Sequence, residues 1–467
     1  MALLVSLLMR SVTARQAAWR GWFFTLAWLS LTFAWLFTSM HTYGGLPAAL
    51  AVLAVLALAG ALAIYYAASC WAFWLLVKKN RAFSAIVFAS LWLLAELARG
   101  QWLTGFGWGA IGYAQLDGPL HALVGWVGMY GVSWWAAVVA ALLAMALSAP
   151  TAQDKVLAGV LMLGLLVLPM TLPAAKGADR GELSVTLLQG NIAQEEKFEP
   201  GTGVAKALRW YGEQLQANRS ALIITPETAL AVLPAQLPGG YWQALENRFG
   251  QGTQAALVGI PLGSFSDGYT NSVVGFKPGQ ASPWRYDKHH LVPFGEFIPP
   301  MFRWFTDLMN IPLGDFSRGA LPQPTFDWQG QRLAATVCYE NLYSNELATQ
   351  FSDAAKAPTI LVNISNLGWF GEHLAMDQHL QIARMRALEF DRPFLLATNT
   401  GKTAIVNHLG QVTHTVPAHT AVALQGVVQG RTGLTPYANW IGRFGLWPLW
   451  IMALAVVLVA VLTRRRR

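Results

Sequence analysis

The sequence predicts a chain of two parts, namely a bundle of transmembrane α-helices and an α/β domain inserted before the last of those helices. Of the 467 residues, 54% are hydrophobic and only 12% are charged, against about 25% charged residues in an ordinary soluble domain. The apolar residues are concentrated in long runs towards both ends of the chain. Residues 175–445 show instead short apolar runs separated by Gly, Pro and polar residues, which is typical of a domain folded in water.

Each long apolar run holds roughly the 20 residues that a helix needs to cross the hydrocarbon core of a bilayer. The six predicted spans are residues 22–39, 46–76, 82–98, 120–147, 153–172 and 446–463. The expected parts of the chain are a cytoplasmic N-terminal segment at 1–21, five transmembrane helices at 22–174, an extracytoplasmic domain at 175–445, and a final transmembrane helix with a basic tail at 446–467. Residues 1–9 are too short to span, and we expect them to be an interfacial or frayed end.

Basic residues give the orientation of the predicted spans. Those that fall on one side are Arg10, Arg15, Arg20, Lys78, Lys79, Arg81, Lys155 and Arg464 to Arg467. By the positive-inside rule this side is cytoplasmic, so the 175–445 domain lies outside the cytoplasm. That domain holds 20 Lys+Arg against 21 Asp+Glu, so the net charge of +8 comes from the flanks and loops. A nearly neutral domain gives no basis for a nucleic-acid surface.

Helical and apolar strand patterns alternate between residues 175 and 445. The predicted strands lie near 183–189, 221–225, 255–259, 271–277, 283–287, 332–337, 359–364, 394–398, 403–407, 411–416 and 422–428, and the predicted helices near 201–217, 239–249, 343–352 and 375–390. This order predicts an α/β domain with a buried sheet. In such domains the reactive side chains follow strand ends.

Three predicted strand ends carry side chains that could do chemistry. Glu227 follows a buried strand, where desolvation raises a carboxyl pKa towards that of a general base, although a turn or capping role is the alternative. Lys288 lies among aromatic and Pro residues and would supply a fixed positive charge, with Glu296 near enough to orient it, unless it is an ordinary surface lysine. Cys338 is a candidate nucleophile or an inert buried thiol.

Glu, Lys and Cys in this order within one α/β domain resemble the nitrilase superfamily, whose members use a Glu–Lys–Cys triad. Longer motifs narrow the resemblance to the apolipoprotein N-acyltransferase family. The motifs, which are dispersed and in family order over roughly residues 22–450, are RGQWLTGFGWGAIGYAQLDGPL (99–120), LLQGNIAQ (187–194), YDKHHLVPFGEFIP (286–299), FSRG (316–319), QIARMRALE (381–389) and TGLTPYA (432–438). The fold that the resemblance implies is an α-helical transmembrane bundle with a nitrilase-like αββα sandwich.

The resemblance implies a ping-pong acyl transfer. Cys338 would be the nucleophile that is acylated as a thioester, Glu227 the general base, and Lys288 the group that stabilises the tetrahedral intermediate. The supporting positions that match the family are Glu296, Glu340 and Tyr339. The acyl donor would be a membrane phospholipid, and the acceptor would be the α-amine of the diacylglyceryl-cysteine at the N-terminus of an apolipoprotein. No metal and no organic cofactor is expected.

The family also implies a place for the chain, namely a monomer in the bacterial cytoplasmic (inner) membrane with the 175–445 domain on the periplasmic side. A site against the membrane is physically sensible, since each CH₂ of an acyl chain costs about 0.8 kcal/mol to expose to water. The thioester must also be kept from water. The aromatic residues that could line such a pocket, and that could equally be core fillers, are Phe198, Phe294, Phe297, Trp369 and Phe370.

The sequence departs from the family pattern at a few positions. Family members usually have two further spans at the N-terminus, and residues 1–21 stand there instead, through a late start or in a trimmed relative. Phe198 occurs where Trp is common, Leu367 where Asp is usual, and Gly107 where Pro is usual. These departures concern the positioning of substrate rather than the triad.

Two other functions are compatible with parts of the sequence. One is a membrane-anchored nitrilase-like amidase that acts on a soluble amide, and the other is a polytopic transporter or binding scaffold. His289, His290, His373 and His379 do not form a recognised zinc spacing, so no metal site is predicted. Glu96 and Arg99 are three residues apart at a predicted helix end, where we expect an interfacial pair.

Overall fold

A computed structural model describes residues 1–77, 81–149, 151–173, 177–264, 266–299, 316–371 and 374–465. The chain forms two compact units. Unit 1 comprises Met1–Phe37, Pro47–Ala175 and Phe444–Arg467, and unit 2 comprises Thr38–Leu46 and Lys176–Arg443. The residues of the sequence analysis that lie outside the described ranges are Lys78, Lys79, His373, Arg466 and Arg467.

The α-helices of the described residues are numbered in chain order. They are α1 (Ala2–Met9), α2 (Ala14–Thr32), α3 (Leu36–Thr38), α4 (Ala48–Leu76), α5 (Arg81–Gln101), α6 (Val124–Leu147), α7 (Ala152–Val167), α8 (Ala205–Ala217), α9 (Tyr241–Gly250), α10 (Ser344–Leu347), α11 (Leu374–Phe390), α12 (Pro436–Phe444) and α13 (Trp447–Arg465). Unit 1 is helical, whereas unit 2 combines helices with two sheets.

Five helices of the described residues are long and apolar enough to cross a membrane. They are Ala48–Leu76, Ala82–Thr104, His121–Leu147, Ala152–Thr171 and Trp447–Arg464, and they coincide with five of the six predicted spans. The predicted span at 22–39 is a bent pair instead, because α2 ends at Thr32 and α3 is followed by a π-helical turn at Ser39–Tyr43. No Gly or Pro between residues 22 and 39 marks the break, so hydropathy alone predicted one straight helix.

Residues 2–9 form a helix of unit 1 rather than a frayed end. Leu4, Val5 and Leu8 lie on one side of α1 and are no more than 2% exposed. These side chains belong to the core of unit 1, together with residues of α4, α5 and α6. The three apolar positions form a stripe along one face of a short helix. A hydropathy window as long as a membrane span does not detect such a stripe.

Glu96 and Arg99 on α5 are buried and bind different partners instead of forming an interfacial pair. Arg99 Nη1 donates to the carbonyl oxygens of Phe106 and Trp108, both at 2.7 Å. Glu96 Oε1 accepts the N–H of Ile111 at 3.0 Å. Both side chains therefore satisfy main-chain groups of the Gly-rich loop that follows α5, which is how a charged group is accommodated in an apolar helical unit.

The described strands of unit 2 form two six-stranded sheets. Their strands are β1 (Asp179–Gln189), β2 (Leu222–Ile224), β3 (Ala255–Ser264), β4 (Gly268–Phe276), β5 (Trp284–Asp287), β6 (Phe326–Trp328), β7 (Gln331–Val337), β8 (Ile360–Ser365), β9 (Phe394–Thr398), β10 (Ala404–Val406), β11 (Val412–Thr415) and β12 (Val422–Arg431). The first sheet has the order β12-β1-β2-β3-β4-β5 and the second β11-β10-β9-β8-β7-β6. The three strands β1, β2 and β3 are parallel, as are β7, β8 and β9.

The two sheets pack face to face between layers of helix. Side chains such as Val185 and Leu257 of the first sheet and Val337 and Ile364 of the second are fully buried in the core between the sheets. Helices α8 and α9 cover the other face of the first sheet, and α11 packs on β9 and β10 of the second. The predicted αββα sandwich is confirmed.

Three elements of unit 2 differ from the prediction. Residues 343–352 form the short helix α10 and a 3₁₀ turn instead of one helix. Helix α12 was not predicted although Tyr437, Ile441 and Phe444 have helical spacing, and strand β6, with three residues, is too short to give a periodic signal.

Candidate active site

Glu227 follows β2 and is 7% exposed. Its Oε1 accepts a hydrogen bond from Asn271 Nδ2 at 2.7 Å and lies 3.3 Å from Lys288 Nζ, while Oε2 accepts the N–H of Asn366 at 2.8 Å. Burial alone raises the pKa of Glu227, but Lys288, Lys197 and the two asparagine donors outweigh it and hold the pKa below its usual value. Glu227 is therefore an ionised carboxylate, able to accept a proton.

The turn that carries Glu227 depends on a close approach of two backbones. A Cβ atom at Gly259 on β3 would lie 2.1 Å from the carbonyl oxygen of Pro226. The N–H of Gly259 donates to Thr225 Oγ1 at 3.0 Å, and its carbonyl oxygen accepts the N–H of Leu230 at 3.1 Å. Glycine is thus required at residue 259, and the turn is fixed to the neighbouring strand on both sides.

Lys288 follows β5 and is 1% exposed. Its main-chain N–H donates to the carbonyl oxygen of Asn271 at 2.8 Å. Its Nζ lies between the carboxylates of Glu227 and Glu296. Burial lowers the pKa of Lys288, but the two carboxylates more than offset burial and raise the pKa well above its usual value. Lys288 therefore holds a permanent positive charge.

Cys338 is the first residue after β7 and has a φ of +50°, in the left-handed region. A residue with a Cβ pays about 1–2 kcal/mol for this conformation. The carbonyl oxygen of Cys338 accepts Asn363 Nδ2 at 3.2 Å and lies 3.4 Å from Nε2 of His379. Such strain is common where a side chain is presented for function.

The thiol of Cys338 is protonated in the resting site. Burial raises its pKa to about 12, and the carboxylates of Glu227 and Glu296 act in the same direction, whereas Lys288 and the N–H of Asn366 oppose them. Attack by the sulfur therefore requires that its proton leaves during the same step. The ionised Glu227 is a base close enough to influence the thiol, and Lys288 is a cation in the same cluster.

Glu340 joins the loop that carries the lysine to the turn that carries the cysteine. Its Oε1 accepts the N–H groups of His289 at 2.6 Å and His290 at 3.1 Å. Its Oε2 accepts the N–H of Val337 at 2.6 Å and the hydroxyl of Tyr286 at 2.9 Å. Burial raises the pKa of Glu340 to about 7, against the effect of the three main-chain donors and of the charge of Lys288. The position of Glu340 is therefore structural, behind the reactive groups.

Tyr339 lies in an aromatic cluster next to the cysteine. Its ring makes an edge contact with Tyr343 at 5.3 Å between centroids and lies 5.6 Å from the ring of His290. The rings of Tyr343 and His290 stack at 3.5 Å, and His290 Nδ1 lies 2.8 Å from Glu346. Tyr339 thus belongs to the packing that supports the turn.

The five predicted pocket residues differ in exposure and in the groups that they contact. Phe198 is 55% exposed and lines an open cavity of about 780 Å³, and it is the only one of the five among the described lining residues. Phe297 lies under the guanidinium of Arg318 at 5.0 Å. Trp369 packs edge-on against Tyr43 at 5.7 Å. Phe370 packs on the core between the sheets, and Phe294 has a φ of +62°.

Several polar residues of the site were not predicted from the sequence to take part in it. They are Lys197, Asn271, Asn363, Asn366 and His379. The sequence offered little signal for Asn271, because it lies between Thr270 and Ser272 in the polar half of β4. Lys197 follows two glutamates and gives the appearance of a solvated turn. Among the described residues, no group of three or more His, Cys, Asp or Glu side chains could hold a metal ion.

Residues 184–437 match a family model described as carbon-nitrogen hydrolase. Together with the αββα sandwich and the buried Glu–Lys–Cys cluster, this defines unit 2 as a domain of the nitrilase superfamily. Residues 1–142 match the apolipoprotein N-acyltransferase N-terminal domain. The apolipoprotein N-acyltransferase of Verminephrobacter eiseniae is 52% identical over 94% of this chain and 85% of its own length, and that of Ralstonia nicotianae is 42% identical over 99% and 88%. The chain belongs to the apolipoprotein N-acyltransferase family.

These comparisons identify an acyltransferase, and the apolar helices fit a bacterial membrane protein. They do not favour an amidase of soluble amides or a transporter. The N-terminal match begins at residue 1, so it includes the segment 1–21 that the sequence analysis set apart. A solved CN-hydrolase superfamily protein from Xanthomonas campestris is also similar, with 18% identity and a TM-score of 0.40 over 57% of this chain and 96% of that one.

Proposed function

We propose that this protein transfers an acyl chain from a membrane phospholipid, through a thioester on Cys338, to the α-amine of the N-terminal diacylglyceryl-cysteine of apolipoproteins. The observation that carries the proposal is the buried cluster of Glu227, Lys288 and Cys338 in a chain of this family. Glu227 is the general base, Lys288 the electrostatic stabiliser and Cys338 the nucleophile. The protein acts as a monomer in the inner membrane.

The first half-reaction forms the thioester. The sulfur of Cys338 attacks the ester carbonyl carbon of the phospholipid, a C–S bond forms, and the thiol proton moves to the carboxylate of Glu227. The ammonium of Lys288 stabilises the negative oxygen of the tetrahedral intermediate. Its collapse breaks the C–O bond of the ester, and Glu227 gives the proton to the departing oxygen of the lysophospholipid. A thiol pKa of about 12 supports transfer of the proton during attack rather than before it.

The second half-reaction consumes the thioester. The neutral α-amine of the acceptor attacks the thioester carbonyl carbon, a C–N bond forms, and a proton of the amine moves to Glu227. Lys288 again stabilises the oxyanion. The C–S bond then breaks, and the sulfur of Cys338 takes the proton back from Glu227, which restores the resting site. Because the lysophospholipid leaves before the amine enters, the kinetics are ping-pong.

Both proposed substrates carry acyl chains that lie in the bilayer, so a membrane-anchored chain would meet them there. Each acyl CH₂ that is exposed to water costs about 0.8 kcal/mol, so a site supplied directly from the bilayer avoids extraction of long chains. The excess of basic residues in the predicted cytoplasmic flanks and loops supports an orientation with unit 2 on the periplasmic side.

The test is detection of the acyl-enzyme. The full chain, purified in detergent and incubated with phospholipid, is analysed by intact-mass and peptide mass spectrometry, and transfer to a synthetic diacylated lipopeptide is measured in parallel. We expect an acyl adduct on Cys338 and a loss of transfer of at least about a thousandfold in Cys338→Ala and Cys338→Ser. Cys70→Ser, at the buried thiol of α4, is the matched control and should keep the adduct and the activity.

Either of two results would contradict the proposal. One is normal transfer by Cys338→Ala. The other is hydrolysis of a soluble amide by the wild-type protein with no acyl adduct after phospholipid exposure, because that result describes an amidase.

A further inference from the structure

A second buried lysine lies beside the proposed catalytic cluster. Lys197, in the turn between β1 and α8, is 2% exposed. Its Nζ donates to the main-chain carbonyl oxygen of Glu227 at 3.0 Å. Both the carboxylate of Glu227 and the sulfur of Cys338 are close enough to act on its charge. The proposed acyl transfer gives this lysine no part.

The charges of the cluster balance only when Lys197 is included. Glu227 and Glu296 bring two negative charges, and Lys288 brings one positive charge. With the ammonium of Lys197 these four groups sum to zero, and without it they carry one net negative charge, to which an ionised Glu340 adds. An unbalanced buried charge is costly, and a thiolate on Cys338 would add a second negative charge to the same place.

Within the part of the chain that the structure describes, the remaining titratable groups next to the cysteine do not supply that positive charge. His379, below the carbonyl of Cys338, is neutral because burial lowers its pKa to about 4. Glu340 accepts four hydrogen bonds behind the cysteine and is acidic. The titratable groups to be considered for Cys338 are therefore Glu227, Glu296, Lys288, Lys197, His379 and Glu340.

We propose that Lys197 is a positioning residue whose ammonium offsets the second carboxylate of the cluster, so that Cys338 can develop negative charge as it attacks. It acts through its field on the sulfur and its hydrogen bond to the backbone of Glu227, and not by proton transfer. The inference rests on the proposed role of Cys338 as nucleophile.

The titration of Lys197 predicts that its effect on Cys338 depends on pH. Burial lowers its pKa to about 8, with Glu227 and Cys338 acting in the opposite direction. The ammonium is therefore present at pH 7 and lost as the pH rises through about 8. Lys197 therefore stabilises a thiolate on Cys338 at pH 7 but not at pH 10.

The experiment measures how fast iodoacetamide alkylates Cys338 in the full chain, from pH 6.5 to 10, in a Cys70→Ser background that leaves one thiol. We expect Lys197→Met to react about tenfold more slowly than the parent at pH 7, which corresponds to one pKa unit of the thiol. The ratio should fall to about one at pH 10. Lys197→Arg, whose charge persists, should match the parent at pH 7 and exceed it about tenfold at pH 10.

Two variants separate charge from structure. Lys197→Gln keeps an N–H donor without a charge and should behave as Lys197→Met does. Lys356→Met, at an exposed lysine, is the matched control and should have no effect at any pH. A pH-independent ratio between the parent and Lys197→Met, or wild-type behaviour of Lys197→Gln, would overturn the proposal.

The experiment still tests the proposal if a variant unfolds or if acyl transfer is absent. If Lys197→Met unfolds, as judged by its melting temperature, the comparison of Lys197→Arg with the parent at high pH still decides the matter. Alkylation requires no acyl transfer. If acyl transfer is absent but the alkylation ratios hold, the proposed function fails and the inference about Lys197 survives. If transfer proceeds and the ratios do not change with pH, only the inference fails.

Discussion

Glu296 holds the ammonium of Lys288 with both of its carboxylate oxygens, with Nζ 2.9 Å from Oε1 and 2.8 Å from Oε2. The contact of Lys288 with Glu227 is longer, at 3.3 Å, and uses one oxygen. Glu296 is itself fixed, because its Oε2 accepts the N–H of Val292 at 2.8 Å. The two acidic residues therefore differ in role, since Glu296 anchors the lysine with both oxygens, whereas Oε2 of Glu227 accepts the N–H of Asn366 instead.

This division predicts that Glu296→Gln impairs catalysis although Glu296 is not the base. Loss of one partner of a buried ion pair costs about 3 kcal/mol, which corresponds to about a hundredfold in rate if Lys288 no longer meets the oxyanion. We expect kcat for acyl transfer to fall by about that factor with little change in the KM for phospholipid. Asp377→Asn, in an exposed pair with Lys402, is the control and should leave kcat unchanged. A Glu296→Gln rate within twofold of wild type would show that Glu227 alone positions the lysine.

The hydrogen bonds of Asn271 predict that the conservative change Asn271→Asp harms activity more than Asn271→Ala does. Its Nδ2 donates to Glu227 at 2.7 Å and to Glu296 at 2.8 Å. In Asn271→Asp a third carboxylate would face the other two and raise the pKa of Glu227. We expect transfer to fall further than in Asn271→Ala, and the acidic limb of the pH–rate profile to move to higher pH, because Glu227 then loses its charge at higher pH. Equal activity of the two variants would contradict this reading.

The sequence was sufficient to predict the strand ends of the site but not the residues that depend on strand pairing. Glu227 and Cys338 follow buried apolar strands, so their positions can be inferred from hydropathy. Asn271 is inside β4, and it reaches Lys288 only because β4 and β5 pair with Ser272 opposite Asp287. That register is set by contacts across the sheet, which no local pattern encodes.

The burial of Lys197 also could not be predicted from local sequence. Its neighbours Glu195 and Glu196 make the segment look solvated, yet the lysine is buried under the Glu227 turn. The bend after Thr32 was also missed, since an apolar run reports length and composition and not direction. For Asn271 and Lys197 the missing information is a tertiary contact.

The four hydrogen bonds to Glu340 predict that Glu340→Gln lowers the stability of the fold. Such a loss distinguishes Glu340 from a catalytic acid. In Glu340→Gln one oxygen is replaced by an NH₂ group, which would face the N–H of Val337 or of His289 and leave a buried donor unsatisfied, at a cost of about 1–3 kcal/mol. Tyr286→Phe removes only one of the four hydrogen bonds to this carboxylate, which costs about 1 kcal/mol. Thermal unfolding in detergent should rank Glu340→Gln below Tyr286→Phe, with activity following the same order. The reverse order would mean that the carboxylate is not what holds the two loops.

The left-handed conformation of Cys338 predicts an unusual response to glycine. At most buried strand positions Gly is less stable than Ala by about 0.5–1 kcal/mol, because it gains more freedom in the unfolded chain, and loss of the buried methyl adds to this. At Cys338, with φ of +50°, relief of about 1–2 kcal/mol of strain offsets that penalty. We expect Cys338→Gly and Cys338→Ala, both inactive, to melt at nearly the same temperature, whereas Ala335→Gly on β7 should melt well below wild type. The melting temperature of Cys338→Gly is compared with that of Cys338→Ala, and that of Ala335→Gly with that of wild type. If the two differences are equal, then the turn stores no strain at the cysteine.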